Sequence, residues 1–236
     1  MAKYKKNYSN SRRNTGSKTI ETNSTKIANE IATLEARIQQ ESPKRGYAPP
    51  LHQSVTFRAL PLSNNTLRGL EEGGPKRNEA KRFTTMTSIQ NACIPHALAG
   101  RDVMGAARTG SGKTLAFLVP LVEKLYRARF SPADGPGGIV LSPTRELAVQ
   151  IFQVLRSVGC HHDLSAGLLV GGKREFEMEQ RRVGRTNVIV ATPGRLLQHL
   201  EQTPDFDVGG LCILVLDEAG KLLPVAGSQL SCVASK

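Results

Sequence analysis

Residues 107–114, with the sequence ARTGSGKT, carry the chemistry of phosphate binding. Closely spaced glycines let backbone N–H groups turn towards an anion, and the N-terminus of the apolar helical stretch that follows favours negative charge. Lys113 is spaced to reach the β- and γ-phosphates of a nucleotide, and Thr114 can present its hydroxyl to Mg²⁺. The alternative is a glycine-rich turn that carries a lysine by chance, which the strand predicted before it and the helix predicted after it disfavour.

Two adjacent carboxylates are candidates for the hydrolytic half of such a site. The apolar run LCILVLD ends at Asp217, and Glu218 follows at once. In a P-loop fold the acid that ends a buried strand holds Mg²⁺, and the next acid polarises the attacking water. An Asp-Glu pair after a strand is common by itself, but downstream of a phosphate loop it predicts nucleotide hydrolysis.

The segments that must position these residues alternate short apolar runs with helical patterns. Strands are predicted at 102–107, 138–142, 166–170, 187–192 and 211–217, and helices at 113–128, 145–158, 173–183 and 194–202. The strands are apolar on both faces, as they are in a parallel sheet that helices cover on both sides. We therefore predict an α/β fold with a mostly parallel sheet and with ligands at the carboxyl ends of the strands.

Composition and charge exclude several classes of protein. The chain has 236 residues, a net charge of +12 and 39% hydrophobic residues. It has neither the roughly 18-residue apolar run of a membrane span nor the apolar core of a secretory signal. Its four cysteines form no CxxC pair, which argues against a zinc cluster or a disulfide scaffold. The expectation is a reduced, intracellular protein with a polyanionic partner and no membrane.

The N-terminal region is set apart by its charge. Residues 1–23 are predicted to form a disordered basic tail, because residues 1–19 contain six Lys and Arg side chains and no acid. This tail is either a nuclear or nucleolar address with loose phosphate contacts, or simply a solvated arm. Residues 24–41 are predicted to form an amphipathic helix, followed by a linker over 42–54.

Taken together, the motifs resemble the DEAD-box RNA helicases over about residues 55–222, and we predict a RecA-like P-loop NTPase domain over 55–223. The similar segments are ARTGSGKT (107–114, motif I), PTRELA (143–148, motif Ia), the Gly171-Gly172 doublet, TPGR (192–195, motif Ib) and DEA (217–219, motif II). Phe57 and TSIQ (87–90) resemble the Q-motif of that family. Singly, PTRELA, GG and TPGR could be a capped helix start, a turn and a proline-initiated helix, but their occurrence in the family's order favours the resemblance.

The resemblance implies an ATP-dependent RNA helicase that uses ATP and Mg²⁺ and contacts the RNA backbone rather than its bases. Lys113, Asp217 and Glu218 would be catalytic, and Thr114 and Asp217 would hold the metal. Gln90 would read the adenine edge while Phe57 packs on the ring. The full ATP-binding set would be Phe57, Thr87, Gln90, Ala107, Arg108, Thr109, Gly110, Ser111, Gly112, Lys113 and Thr114. The RNA-binding set would be Pro143, Thr144, Arg145, Gly171, Gly172, Thr192, Pro193, Gly194 and Arg195.

Within the family, segments such as TPGRLLQHLEQTPDFD resemble the nucleolar helicases of small-subunit ribosome biogenesis. This similarity implies pre-rRNA or guide-RNA duplexes as substrates, ribosome-biogenesis proteins as further partners, and a nucleolar or nuclear location.

The sequence also departs from the family pattern. The basic stretch EEGGPKRNEAKR (71–82) replaces a shorter turn, Gly220 stands where motif II has its last Asp, and residues 224–236 form a divergent tail in place of a second RecA-like domain. In this family the second RecA-like domain supplies the arginine fingers, and an arginine finger is worth about 10³–10⁵ in rate. Without that domain, we expect this polypeptide alone to bind ATP weakly and to be practically inactive as a helicase. Two functions stay open: a helicase represented by its N-terminal domain, or a truncated, non-catalytic ATP- and RNA-binding fragment. An unrelated P-loop ATPase is disfavoured by the motifs at 87–90, 143–148 and 192–195.

Overall fold

A parallel four-stranded sheet lies at the centre of the chain. The computed structural model describes residues 14–47, 55–73, 82–172 and 176–226. The strands are β1 Gly138–Leu141, β2 Ala166–Leu169, β3 Val188–Ala191 and β4 Ile213–Leu216, in the spatial order β2-β3-β1-β4. Gly138 is in register with Val188 on one side and with Ile213 on the other. Because all pairs are parallel, the carboxyl ends of the four strands meet at one edge.

Helices lie before, between and after the strands. They are α1 Asn14–Glu41, α2 Asn64–Glu72, α3 Ser88–Leu98, α4 Lys113–Arg127, α5 Arg145–Val158, α6 Phe176–Val183, α7 Pro193–Gln202 and α8 Ala219–Ala226, with short 3-10 turns at Phe57–Ala59 and Pro132–Asp134. Within the described ranges, no helix is both long and apolar enough to cross a membrane.

Both faces of the sheet are covered, as the sequence predicted. On one face, Val140 and Val190 pack with Leu121 of α4 and Leu155 of α5. On the other, Ile139, Leu141 and Ile189 pack with Leu196 of α7 and Leu222 of α8. This burial of apolar side chains on two faces is the main stabilising contribution to an α/β layer.

Four of the five predicted strands are confirmed, but the strand predicted over residues 102–107 is wrong. These residues form no ladder with any described strand, and Met104 is fully exposed. A strand exists only when a neighbour pairs with its backbone, and β4, the edge strand beside β1, pairs with β1 alone among the described residues. The apolar pattern of 102–107 therefore does not produce a strand.

The N-terminal helix is longer than predicted. It spans Asn14–Glu41 and so begins ten residues before the predicted start at 24, while residues 1–13 of the predicted tail lie outside the described ranges. Ile31, Leu34 and Ile38 are buried at helical spacing, which confirms the predicted packing face. Glu30 anchors the helix by accepting hydrogen bonds from the Tyr126 hydroxyl and the Asn64 N–H.

Parts of three further predictions also lie outside the described residues. These are 48–54 of the predicted linker, 74–81 of the basic insertion, and 227–236 of the predicted tail. Glu71 and Glu72, at the start of the insertion, belong to α2.

Candidate nucleotide and nucleic-acid site

The predicted phosphate loop connects residues 102–107 to helix α4, and its shape depends on two glycines. Gly110 and Gly112 have φ values of +77° and +90°, a region that side chains with a Cβ rarely adopt. Gly112 is the N-cap of α4, so the N-terminus of this helix opens at the loop. The loop therefore has the backbone freedom and the helix dipole that anion binding requires.

The side chains of this loop fit a bound phosphate. The Lys113 ammonium folds back over the loop and donates to the Ala107 carbonyl at 2.6 Å and to the Arg108 carbonyl at 3.4 Å. The Ser111 hydroxyl is buried and has no hydrogen-bond partner in the described part of the chain. A buried hydroxyl without a partner is costly, and a phosphate oxygen would satisfy it. Arg108 and Thr109 are exposed at the loop tip.

Gln90 ties the Q-like segment to the phosphate loop. It is 3% exposed; its Oε1 accepts from the Thr87 N–H at 2.8 Å, and its Nε2 donates to the Gly112 carbonyl at 2.9 Å. A Cβ at Gly112 would lie 2.5 Å from Gln90 Nε2 and 3.0 Å from the Thr87 hydroxyl oxygen. In this conformation both ends of the Gln90 amide are engaged, one at the start of α3 and one at the phosphate loop.

Phe57 is placed differently from the prediction. Its ring is 2% exposed and packs in the cluster that contains Leu62, Leu70 and Ile94. A ring buried on all sides has no free face on which an adenine can stack. In this conformation Phe57 is a core side chain behind the Q-like segment rather than one that packs on a nucleotide.

The candidate catalytic acids lie where β4 ends. The Asp217 N–H continues the strand pairing by donating to the Leu141 carbonyl at 2.9 Å. Glu218 turns the chain into α8 with φ at +51°, an uncommon value for a residue with a side chain. Such local strain is frequent at functional sites. The turn directs the chain away from the sheet directly after the two carboxylates.

The electrostatics of the two acids differ. Burial, and secondarily the neighbouring Glu218 charge, raise the pKa of Asp217, while Lys113 opposes this rise. The Lys221 ammonium, 2.6 Å from a Glu218 carboxylate oxygen, lowers the pKa of Glu218, and Lys113 adds to that effect. Lys113 is therefore near enough to act on both carboxylates, which places the phosphate loop and the acidic pair in one site.

The donor set suits Mg²⁺. Thr114 and Asp217 offer a hydroxyl and a carboxylate oxygen, and Mg²⁺ is typically held by one or two such groups together with substrate phosphates and water. Within the described ranges, no cluster of three or more His, Cys, Asp or Glu side chains is placed to hold a metal. When bound, Mg²⁺ would neutralise phosphate charge in the reaction.

A groove of about 1050 Å³ runs beside this site, over the ends of β1, β2 and β3. The predicted RNA-binding residues that line it are Pro143, Thr144, Arg145, Gly171, Gly172, Thr192, Gly194 and Arg195; Pro193 is the first residue of α7, directly behind the groove. Three separate motifs are thus brought to one surface, as expected for loops that follow neighbouring parallel strands.

Individual groove residues have distinct local roles. The Thr144 hydroxyl accepts from the Leu147 N–H at 3.3 Å and caps α5. Gly171 has φ at +79°, and a Cβ there would touch the exposed Arg145 guanidinium at 3.4 Å. A Cβ at Gly194 would meet no atom within 4 Å, so this residue leaves open space above the start of α7. The groove surface therefore combines helix N-termini, glycines and an exposed cation, features that suit a phosphate backbone.

Arg195 is not an open cation of this groove. It is 7% exposed, its Nε donates to Glu179 at 2.7 Å, and its Nη2 donates to the Gly172 carbonyl at 2.9 Å. Glu179 also contacts the fully buried His199 at 2.9 Å. Glu179 and His199 were missed from the sequence. The sequence did contain a signal, because Arg195 and His199 are four positions apart and so lie on the same face of α7 as the buried Leu196. Two buried basic side chains require an acid nearby.

A phosphate loop at a helix N-terminus, with a carboxylate pair at the end of a neighbouring parallel strand, defines a RecA-like P-loop nucleotide-binding domain. The DEAD/DEAH box helicase family model matches residues 87–235, and the chain belongs to this family. The match extends past Leu223 into the segment predicted to be a divergent tail. The predicted family and fold are confirmed.

Relatives and solved structures agree with this assignment. The chain is 48% identical over 194 residues to the ATP-dependent RNA helicase DBP4 of Coccidioides immitis, and 53% identical over 170 residues to DEAD-box ATP-dependent RNA helicase 32 of Arabidopsis thaliana. These alignments cover 82% and 72% of this chain, which spans 22% of the length of each relative.

Two crystal structures have the same fold. A DEAD box protein from Methanococcus jannaschii is 31% identical with a TM-score of 0.61 and is matched over 74% of this chain and 44% of its own. The yeast DEAD-box splicing factor Prp28 is 29% identical with a TM-score of 0.64 and is matched over 80% of this chain and 43% of its own.

Proposed function

We propose that this chain is the ATP- and RNA-binding first domain of an ATP-dependent RNA helicase. The observation that carries the proposal is a glycine-shaped loop at the N-terminus of α4 together with two adjacent acids where β4 ends; the effect of Lys113 on the pKa of both acids agrees with this. The helicase names of the relatives support the same activity. The groove over the strand ends supports a single RNA strand as the second ligand.

Each part of the site has a definite task in this proposal. The loop N–H groups and Lys113 hold the triphosphate of ATP, and Thr114 and Asp217 hold the metal. Glu218 would orient the attacking water through its ionised carboxylate; the Lys221 ammonium lowers the pKa of this acid and so makes it a weaker base. Gln90 links the base end of the site to the loop through Gly112.

The groove favours RNA backbone over base edges. Its lining includes helix starts, glycines and the exposed Arg145, and such groups bind phosphates and ribose hydroxyls, although the carboxylates of Glu146 and Glu177 line it too. Pre-rRNA or guide-RNA duplexes, ribosome-biogenesis partners and a nucleolar location are part of the proposal. They are supported by the resemblance of segments such as TPGRLLQHLEQTPDFD to nucleolar helicases.

The second candidate is a fragment that binds ATP and RNA without turnover. The Lys221 ammonium favours it, because its ion pair at 2.6 Å engages one of the two oxygens of the carboxylate proposed to orient the water. Gly220 favours it too, since it replaces the last acid of motif II.

Binding and turnover by the 236-residue chain distinguish these candidates. A fluorescent ATP analogue should bind the wild type and should bind Lys113→Ala at least about tenfold more weakly, because the charge that pairs with the phosphates is lost. Single-turnover hydrolysis, with and without single-stranded RNA, separates the helicase domain from the inert fragment. Turnover that stops in Glu218→Gln while analogue binding persists supports catalysis by Glu218.

Lys221→Ala serves as the matched test of the second candidate. If Lys221 blocks Glu218, this variant gains turnover over the wild type. If wild type and Lys221→Ala both bind the analogue but neither hydrolyses ATP, the non-catalytic function holds for this chain. Equal analogue binding by wild type and Lys113→Ala contradicts both candidates.

A further inference from the structure

The guanidinium of Arg195 is almost entirely used within the protein. Its Nε donates to Glu179 at 2.7 Å, its Nη1 donates to Gln198 at 2.9 Å, and its Nη2 donates to the Gly172 carbonyl at 2.9 Å. The ring of Phe176 covers it, with 5.1 Å between the guanidinium carbon and the ring centroid. A side chain with these partners and 7% exposure holds protein groups in place rather than meeting a phosphate.

Glu179 is the acid on which this arrangement depends. Its side chain is 13% exposed, and one carboxylate oxygen contacts both Arg195 Nε at 2.7 Å and His199 Nε2 at 2.9 Å. The second ring nitrogen of His199 lies 2.8 Å from the Thr203 hydroxyl, so the imidazole is fixed at both ends. Helix α6 and helix α7 are thereby joined through this carboxylate, in addition to the hydrogen bond from Gln180 to the Gln202 carbonyl and the Phe176 ring contacts.

The contacts continue into the groove. The Gly172 carbonyl that Arg195 holds belongs to the loop after β2, and Gly171 beside it has a φ of +79°. Neither glycine has a side chain that could hold the loop in place, so the hydrogen bond to the Gly172 carbonyl is a fixed point of its backbone. Arg195 therefore sets the position of the loop, and Glu179 sets the position of Arg195.

We propose that Glu179 is a positioning residue for RNA binding, acting through Arg195 on the Gly171–Gly172 loop. The inference rests on the proposed RNA groove. It also changes the role predicted for Arg195, from a direct phosphate contact to a support of the loop.

The sign of one effect separates positioning from plain electrostatics. Glu179 is a negative charge beside a groove for a polyanion, so if charge alone mattered, its removal would tighten RNA binding. If Glu179 positions Arg195, its removal leaves a buried cation without its partner and loosens the loop, and RNA binding weakens.

Glu179→Gln and Glu177→Gln form a matched pair of variants. Glu177 is exposed on the same helix and lines the same groove, so its neutralisation reports the effect of charge without the contact to Arg195. Affinity for a fluorescent single-stranded RNA should fall by about tenfold in Glu179→Gln, a loss typical when the partner that orients a binding residue is removed. It should stay equal or rise in Glu177→Gln. Equal or tighter RNA binding by Glu179→Gln overturns the proposal.

Salt dependence tests the new role of Arg195. Each phosphate contact to a single strand contributes about 0.7 to the slope of log affinity against log salt. Arg195→Gln should therefore bind RNA more weakly than the wild type with an unchanged slope. A slope reduced by about 0.7 would mean that Arg195 contacts a phosphate directly, and the positioning role would be wrong.

Two further measurements test the proposal even if Glu179→Gln is unfolded or the wild type binds no RNA. Unchanged affinity for the ATP analogue shows that Glu179→Gln is folded. If Glu179→Gln is unfolded, Glu179→Asp replaces it in the RNA-binding measurement, because it keeps the charge and withdraws the carboxylate by one methylene. If the wild type binds no RNA, the proposed function fails, but the positioning is still decided by NMR. The amide signals of Gly171 and Gly172 should shift in the Glu179 variant and not in Glu177→Gln, and unshifted signals overturn the inference.

Discussion

Replacing Gly112 with alanine tests the link between the Q-like segment and the phosphate loop, and Gly110 offers a matched control. Both glycines have positive φ, at +90° and +77°, so alanine at either position carries the cost of about 1–2 kcal/mol for that backbone region. The surroundings differ, because a Cβ at Gly110 meets no atom within 4 Å, whereas a Cβ at Gly112 lies 2.5 Å from Gln90 Nε2.

The excess cost at Gly112 follows from the hydrogen bonds that Gln90 must give up. Its amide end has to swing away from the new methyl group, losing the 2.9 Å bond to the Gly112 carbonyl and displacing the 2.8 Å bond from the Thr87 N–H. Each bond contributes about 0.5–1.5 kcal/mol. We therefore expect Gly112→Ala to lower the free energy of unfolding by about 1–3 kcal/mol more than Gly110→Ala.

Urea denaturation measures this difference, and a double-mutant cycle with Gln90→Ala identifies its source. In the Gln90→Ala background the amide is already absent, so the excess cost of Gly112→Ala over Gly110→Ala should fall to what the remaining contact with the Thr87 side chain at 3.0 Å imposes. The reasoning is refuted if the two alanine variants are equally stable in the wild-type background. It is also refuted if the excess cost at Gly112 is undiminished by the removal of Gln90.

Three other substitutions test the electrostatics and the acidic motif. Burial raises the pKa of Glu123, which lies in α4, above its ordinary value of 4.5. The folded state therefore loses stability as pH rises above 4.5, and Glu123→Gln should gain stability relative to wild type over that rise; urea unfolding with no such trend contradicts this. Burial lowers the pKa of His162 to about 4, and this effect outweighs the opposing Glu30 charge. The neutral imidazole therefore contributes to the free energy of unfolding above pH 6.5, and this contribution is lost as pH falls towards 4. His162→Gln should remove an acid-dependent loss of about 3 kcal/mol, and an unchanged pH profile would show that the imidazole titrates normally. Gly220→Asp places a carboxylate in the first turn of α8, where a Cβ has open space, and should stabilise the fold by about 0.3–1 kcal/mol. A lower Tm by thermal unfolding would show that repulsion from Asp217 and Glu218 outweighs the helix dipole.

Helices whose ends are fixed by local residues were predicted well from the sequence. Helix α5 spans Arg145–Val158, the predicted range, because the Thr144 hydroxyl caps its start and the Gly159 N–H closes its end on the Leu155 carbonyl. Helix α7 begins at Pro193, where a ring-fixed φ suits the first turn. These signals lie within a few residues of the boundary they set, so no knowledge of the rest of the fold is needed.

The contacts that use distant partners could not be predicted in the same way. Gln90 reaches the Gly112 carbonyl across 22 positions, and Arg195 reaches the Gly172 carbonyl across 23. The residue types were right for polar contacts, but their partners depend on how α3 and α7 pack. The burial of Phe57 is of the same kind, since an aromatic residue in a sequence does not reveal whether its ring will lie in the core.

The wrong strand at 102–107 and the correct phosphate loop beside it have different physical requirements. A strand needs a neighbour, and the side of β4 that does not pair with β1 remains an edge, with Leu214 and Leu216 at 54% and 44% exposure. These leucines are in register with Ile139 and Leu141 of β1. Leu196 and Leu222 pack on the face that Ile139 and Leu141 share, and among the residues that the structure describes this packing does not extend over β4. The loop needs only two positive φ values and a helix start, which Gly110, Gly112 and α4 supply locally. The chemistry of phosphate binding could therefore be predicted from eight consecutive residues even though the strand expected to precede them does not form.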